Sequence, residues 1–324
     1  MTHSSGRGLT IALVLGLAPA WAAAQSLPVL HPSNPAAESR TGLYFQPLVA
    51  PGPGWRVAAA LDYASMVEIG FRGSLADTSY LLDAEVPRLN LNLTHNLSPH
   101  YFVIGEAWVG GTQNGFLDGF LNWYHGLFGI RFPEREDRPR NTFGYFYRDD
   151  NNRRVVFDRR GFGLGDVRLG LGRRHSPGTQ SVLSVTLPTS TLGDGFARGT
   201  PSFSLLNTVR ANATPRLVYE GSASVGYTPT HGDLSRFQNQ LFFLGTSGFR
   251  WRTFGGFWSF ANLFLHSPYY SDTGARQLDR WDLTVDFGWM IRGKSGREFR
   301  FGMTEDLWPS GPAVDANFRL GMTW

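Results

Sequence analysis

The sequence predicts an all-β transmembrane protein: an antiparallel up-and-down β-barrel of about 12 strands, with one amphipathic helix in a long external loop. Three observations carry this reading. Apolar and polar residues alternate with period two in segment after segment, as strands require and helices forbid. The connections between these segments fall into a short and a mostly longer class, taken in turn. The chain also holds 25 Phe, 10 Trp and 11 Tyr, an aromatic load that a barrel places on its outer wall and interfaces.

The N-terminus reads as a secretory signal over residues 1–24. Arg7 supplies the positive region, Leu9 to Ala18 the apolar run, and Ala22-Ala-Ala24 the small-residue cleavage site. Absence of Cys excludes disulfides and a lipid on an N-terminal Cys. Beyond residue 25 no apolar run is long enough for a spanning helix. Residues 25–53 are expected to be irregular, broken by Pro28, Pro32, Pro35, Pro47, Pro51 and Pro53.

The barrel is expected over 54–324. Its candidate strands are 54–66, 79–93, 101–109, 163–174, 180–189, 202–211, 216–227, 239–251, 256–267, 278–292, 298–307 and 315–324. In the tenth, Trp281, Leu283, Val285, Phe287, Trp289 and Ile291 alternate with Asp282, Thr284, Asp286 and Gly288. In the last, Phe318, Leu320, Met322 and Trp324 aim one way, and the strand ends on an aromatic. Those four residues are the expected signal to the barrel-assembly machinery. Short turns such as His175-Ser-Pro-Gly178 and Thr253-Phe-Gly-Gly256 alternate with longer loops, so both ends of the wall are expected on the periplasmic side.

The insertion 110–162 exceeds ordinary loop length. Gly115 to Gly129 reads as a helix with Phe116, Leu117, Phe120, Leu121, Tyr124, Leu127 and Phe128 on one face, capped by Asn114 and ended by Gly129. Arg131 to Arg160 follows with nine Arg and six acids.

Side chains that would face inward by strand phase are Glu220, Arg250, Asn262, His266, Asp282, Asp286, Arg300, Asp306 and Arg319, joined by Trp258, Phe260 and Phe264. Mixed acids and bases imply an internal ion-pair network more than a strongly ion-selective pore. No catalytic residue is expected. The one His-x-Ser beyond the leader is His31-Pro-Ser33, in the irregular stretch. No cofactor or metal is expected, because the His residues are dispersed and Asp149-Asp-Asn-Asn152 reads as a solvated turn. Gly161-Phe-Gly-Leu-Gly165 lacks the strand-to-helix context of a phosphate loop.

Outer-membrane lipid is the expected partner. Lipopolysaccharide is a second, through Arg131, Arg135, Arg138, Arg140, Arg153 and Arg154, against a self-neutralising reading of that loop. Nucleic acid is excluded by the secretory signal and the lack of any binding motif.

Four segments resemble an uncharacterised family of Gram-negative outer-membrane proteins, a domain of unknown function. They are Tyr80-Leu-Leu-Asp-Ala-Glu85, Gly115-Phe-Leu-Asp-Gly-Phe120 with His125-Gly-Leu-Phe128, Gly163-Leu-Gly-Asp-Val167, and Phe301-Gly-Met-Thr-Glu-Asp-Leu307. The resemblance covers roughly 40–324 and implies a barrel without supplying an activity. Asp118, His125, Asp166, Glu305 and Asp306 fall within these segments. They are expected to form a cluster on which the helix docks inside the barrel mouth.

The functional expectation is a narrow passive channel or small-solute-binding barrel in the outer membrane of a Gram-negative bacterium, gated or narrowed by the insertion. The alternatives are a non-conducting envelope protein that contacts lipopolysaccharide and a lipid-modifying enzyme.

Overall fold

A computed structural model describes residues 34–40, 47–71, 78–127, 129, 138–293, 296–307, 312 and 314–324. The expected signal segment lies outside them. In lipid, extended backbone can satisfy its polar groups only by pairing all round a closed sheet. The chain does this with β1 (Trp55–Phe71), β2 (Thr78–Asn96), β3 (Tyr101–Gly110), β4 (Gly144–Arg148), β5 (Arg154–Val156), β6 (Gly163–Leu164), β7 (Val167–Ser176), β8 (Thr179–Leu187), β9 (Ser202–Thr214), β10 (Leu217–Tyr227), β11 (Leu241–Phe254), β12 (Phe257–His266), β13 (Asp282–Arg292), β14 (Glu298–Asp306) and β15 (Ala316–Thr323).

The wall consists of β1–β3 and β7–β15, a closed antiparallel barrel of twelve strands, as the alternation predicts. β15 returns to β1 from Ala58 opposite Thr323 to Ser65 opposite Ala316. Val57 and Trp324 exchange backbone hydrogen bonds of 3.0 and 2.9 Å, so the wall closes on its last residue. Tight turns cluster at this rim, and longer connections at the other. We call them the turn rim and the loop rim.

One expected strand, 163–174, is divided. β6 pairs with β3, the chain breaks at Gly165-Asp166, and β7 resumes the wall. A Cβ at Gly165 would lie 1.9 Å from the Trp108 indole, so that close approach requires glycine.

The faces are inverted relative to a soluble protein. Outward Leu61, Leu183 and Leu320 are 53%, 61% and 58% exposed, while inward Asp62 and Asp286 are 0% and 1% exposed. Lipid is the solvent for the first set, and pairing inside the lumen satisfies the second.

β1 and β2 have 17 and 19 residues, longer than the roughly 9–11 that cross a bilayer. They project past the loop rim, where β4 pairs with β2 and β5 with β4.

The insertion carries a helix, α2 (Asp118–Leu127), and Gly129 after it takes φ +68°; it starts three residues later than expected, and Asn114 does not cap it but accepts from Arg159 at 3.1 Å. However, α2 lies on the outer wall. Phe116, just before it, stands 5.1 Å from Tyr63, and Phe120 stands 6.0 Å from Phe318, ring centroid to centroid. Tyr63 and Phe318 are cross-strand partners in the outward phase. Phe116, Phe120, Trp123 and Leu127 stay exposed, while Asp118, Leu121 and His125 are buried. An interfacial helix turns its aromatics to lipid and its polar residues to the protein.

The lumen is filled from the N-terminal side. Residues 34–40 and 47–53 precede β1 and are not part of the wall. The first stretch forms α1 (Pro35–Glu38). Asn34 Oδ1 accepts from Ala36 N at 2.9 Å and Pro35 takes the first helical position, two features of a helix start.

Candidate functional site

The lumen and the segment inside it form the candidate site. At the loop rim, Ala36 and Ala37 belong to a buried apolar cluster with Tyr80, Tyr147, Tyr270 and Leu278. The insertion contributes Tyr145, Tyr147 and Phe157 to the same cluster. Asn34 Nδ2 donates to Glu68 Oε1 at 2.6 Å. Glu38 pairs with Arg88 at 2.8 Å and Arg198 at 4.0 Å, and Arg198 also pairs with Asp166 at 2.8 Å. Arg40 is fully buried and donates to the carbonyls of Thr228, Pro229 and Asn239 at 3.1, 3.0 and 2.9 Å. Burial pulls its guanidinium down to about 10, so it remains a cation at neutral pH.

Deeper in the lumen the wall pairs its own charges. Arg319 Nε donates to Asp62 Oδ1 at 2.7 Å, Arg300 to Asp286 at 2.5 Å, and Arg168 to Glu106 at 2.6 Å. The Arg300 guanidinium lies 3.8 Å from the centroid of Phe260. His266 Nε2 lies 2.9 Å from Asp282.

Towards the turn rim, Val49 fills an apolar patch with Phe102, Ile104, Val182 and Leu206. Val49 N donates to Gln180 Oε1 at 2.8 Å, and Gln180 Nε2 returns a bond to Pro47 O at 2.9 Å. Arg174 Nε donates to Val49 O at 2.6 Å. Glycine makes room here: a Cβ at Gly172 would lie 2.0 Å from the Phe102 ring.

All nine residues expected inward occupy the lumenal phase of their strands. Glu220 pairs with Arg210 at 2.6 Å and Arg250 at 3.3 Å. Asn262 donates to Asp286 at 3.4 Å, and Asp306 stands opposite Thr284. The five-residue docking cluster is not assembled. Asp118 and His125 lie with α2 on the outer wall, where Asn141 N donates to Asp118 at 2.6 Å. β14 keeps its register through Glu305, which therefore faces outward and is covered by α2. Burial and then the Glu305 carboxylate raise the Tyr124 hydroxyl above its ordinary range. Asp166 and Asp306 are on the inner side. The helix stays out of the mouth, which Ala36, Ala37, Tyr145, Tyr147 and Phe157 already fill.

Sequence reasoning missed two outward acids on β2. Glu85 accepts from Phe116 N at 3.0 Å, Leu117 N at 2.6 Å and the Tyr63 hydroxyl. Asp83 pairs with Arg138 at 2.6 Å. The signal was present: Leu81, Asp83 and Glu85 share one phase, so something had to cover the acids. Of the arginines expected at lipopolysaccharide, Arg153 meets Asp233 at 3.3 Å and Arg154 lies over Phe146. Arg131 and Arg135 lie outside the described residues. Asp149 Oδ1 accepts from Asn151 N and Arg153 N at 3.0 and 2.8 Å, which closes a turn. Among the described residues no cluster of three His, Asp or Glu suits a metal.

On the outer wall, His175 Nε2 lies 2.7 Å from Ser181 Oγ, whose proton goes to Asn207 Oδ1 at 2.6 Å. Among the described residues no carboxylate reaches His175 to orient it. The group is a polar patch and not a catalytic triad.

Two residual spaces in the loop-rim half, beside Glu38 and beside Ser39, hold about 20 Å³ each, room for a single water. At the turn rim a cavity of about 620 Å³ opens between β9 and β13.

A closed twelve-strand wall with apolar outside and paired charges inside defines an outer-membrane β-barrel. The chain belongs to the family described as protein of unknown function (DUF3187), whose model matches residues 73–324. Among solved structures it is similar to the COG4313 outer membrane channel from Pseudomonas putida F1, with 12% identity, 85% of this chain and 96% of that chain covered, and a TM-score of 0.55. It is also matched to the NanC porin, with 8% identity over 84% of this chain and 99% of that chain, at a TM-score of 0.45. No curated protein matches the chain.

Proposed function

We propose that this protein is a passive outer-membrane channel for small solutes whose resting state is closed by its own N-terminal segment. The turn rim is then periplasmic and the loop rim external, in a Gram-negative envelope. One observation carries the reading. Residues 34–40 and 47–50 lie inside a wall that closes without them, held by hydrogen bonds, ion pairs and small apolar anchors at Ala36, Ala37 and Val49. An element of that kind can leave without unpairing a strand. The insertion caps the mouth through Tyr145, Tyr147 and Phe157 and takes no part in the lumen through α2.

The paired lumenal charges favour a second reading, a non-conducting envelope protein with a filled core. Both readings place α2 against outer-leaflet lipid, including lipopolysaccharide. Both also leave Phe318, Leu320, Met322 and Trp324 as the signal to the assembly machinery. Efflux of small sugars and amino acids from liposomes separates the two. A variant lacking residues 34–50 should release them within minutes while the full chain releases them slowly. A folded deletion variant that retains solute as well as the full chain supports the second reading.

A further inference from the structure

The cavity at the turn rim carries chemistry of its own. Its lumenal lining includes Arg210, Arg250, Arg252 and Arg292, above a floor of Trp258 and Met290. Two carboxylates stand beside these four cations. Glu220 meets Arg210 and Arg250, and Glu298 meets Arg292 at 2.8 Å. Two positive charges are left over. Arg252 has no carboxylate partner among the described residues; its guanidinium stands 5.0 Å from the Trp258 ring centroid, and that of Arg292 stands 5.9 Å away. A guanidinium fork matches a carboxylate in two parallel hydrogen bonds. The indole and thioether beneath it, 8% and 2% exposed, are the edge of a buried apolar cluster with Phe260 and give the cavity a floor that suits a flat apolar body. The volume lies within the range of small-molecule sites.

We propose that this cavity binds a small organic anion, a carboxylate carried on a flat apolar body. Arg252 and Arg292 hold the carboxylate and Trp258 stacks on the body. Binding itself needs no open lumen; only its role as the periplasmic vestibule of a solute path rests on the channel reading. Surplus positive charge at the mouth also excludes organic cations of the same shape.

The test is isothermal titration of the refolded full chain with benzoate, benzylammonium and inorganic phosphate. Benzoate should bind and benzylammonium should not, and phosphate should bind at least tenfold more weakly than benzoate. Arg252→Gln and Trp258→Leu should each weaken benzoate at least tenfold. Arg252 is exposed near the end of β11, so its variant should fold, which heat-modified gel migration confirms. The proposal is overturned if benzoate does not bind the full chain, if Arg252→Gln leaves its affinity unchanged, or if benzylammonium binds equally well. Phosphate binding as tightly as benzoate overturns the apolar-body assignment. The readout is separate from conduction: benzoate binding alongside a silent lumen would remove the channel reading and leave this site standing.

Discussion

Arg40→Ala should release the internal segment. The guanidinium is fully buried and makes three charge-assisted hydrogen bonds to loop carbonyls. Such bonds are worth about 1.5–3 kcal/mol each, but they are not additive, and burial of the charge offsets part of the sum. The depressed guanidinium is the sign of that burial cost. A net loss of about 3 kcal/mol is a fair working figure, because truncation also strands three carbonyls. At about 1.4 kcal/mol per tenfold, the released population rises on the order of 100-fold. Planar-bilayer recordings should show openings that are rare in the full chain and frequent in the variant. Arg40→Lys, which keeps the charge but not the fork, should fall between. Opening at the full-chain frequency in a correctly folded Arg40→Ala barrel would refute the claim that these contacts hold the lumen shut.

Other consequences are equally specific. Asp62→Ala leaves Arg319 charged in a dry lumen and should cost about 3–5 kcal/mol, read from the urea midpoint; Asp62→Asn with Arg319→Met should recover most of it, and a cost under about 1 kcal/mol for the single change would mean that the pair is hydrated. Gly172→Val drives a Cβ into the Phe102 ring and should cost about 1–3 kcal/mol, with recovery in the Phe102→Ala background measured by thermal unfolding. Trp123→Ser removes an exposed anchor of α2 and should speed amide exchange in that helix about tenfold in lipid nanodiscs, equivalent to about 1.4 kcal/mol; unchanged exchange would show that Trp123 does not anchor the helix.

The wall was legible because lipid imposes one rule on every strand. Trp281, Leu283, Val285 and Phe287 could only face out, so Asp282 and Asp286 had to face in, and their partners followed from neighbouring strands. The side of the barrel on which α2 lies was not legible. An aromatic stripe such as Phe116, Phe120 and Leu127 marks a helix with two faces, and the pattern is the same whether the apolar face meets a core or a bilayer. Glu305 and Glu85, acids in an outward phase, were the clue that the helix covers the outside. The internal segment was harder to read. Its prolines break up regular backbone, yet Pro35 opens the short helix α1, and local pattern says nothing about whether such a segment runs outside a barrel or through it. Asn34 and Pro35 mark a helix start in the sequence. Val49 as an anchor depends on Phe102, Ile104, Val182 and Leu206, which come together only when the barrel closes.

The most direct test is single-channel conductance of three refolded proteins: the full chain, a variant lacking residues 34–50, and a variant lacking 116–143. Steady conductance is expected in the second and silence in the other two, because the first deletion removes the segment inside the lumen and the other removes α2, which lies on the outer wall. Silence in the variant lacking 34–50, or conductance gained by removing 116–143 instead, would contradict the assignment of the N-terminal segment as the gate.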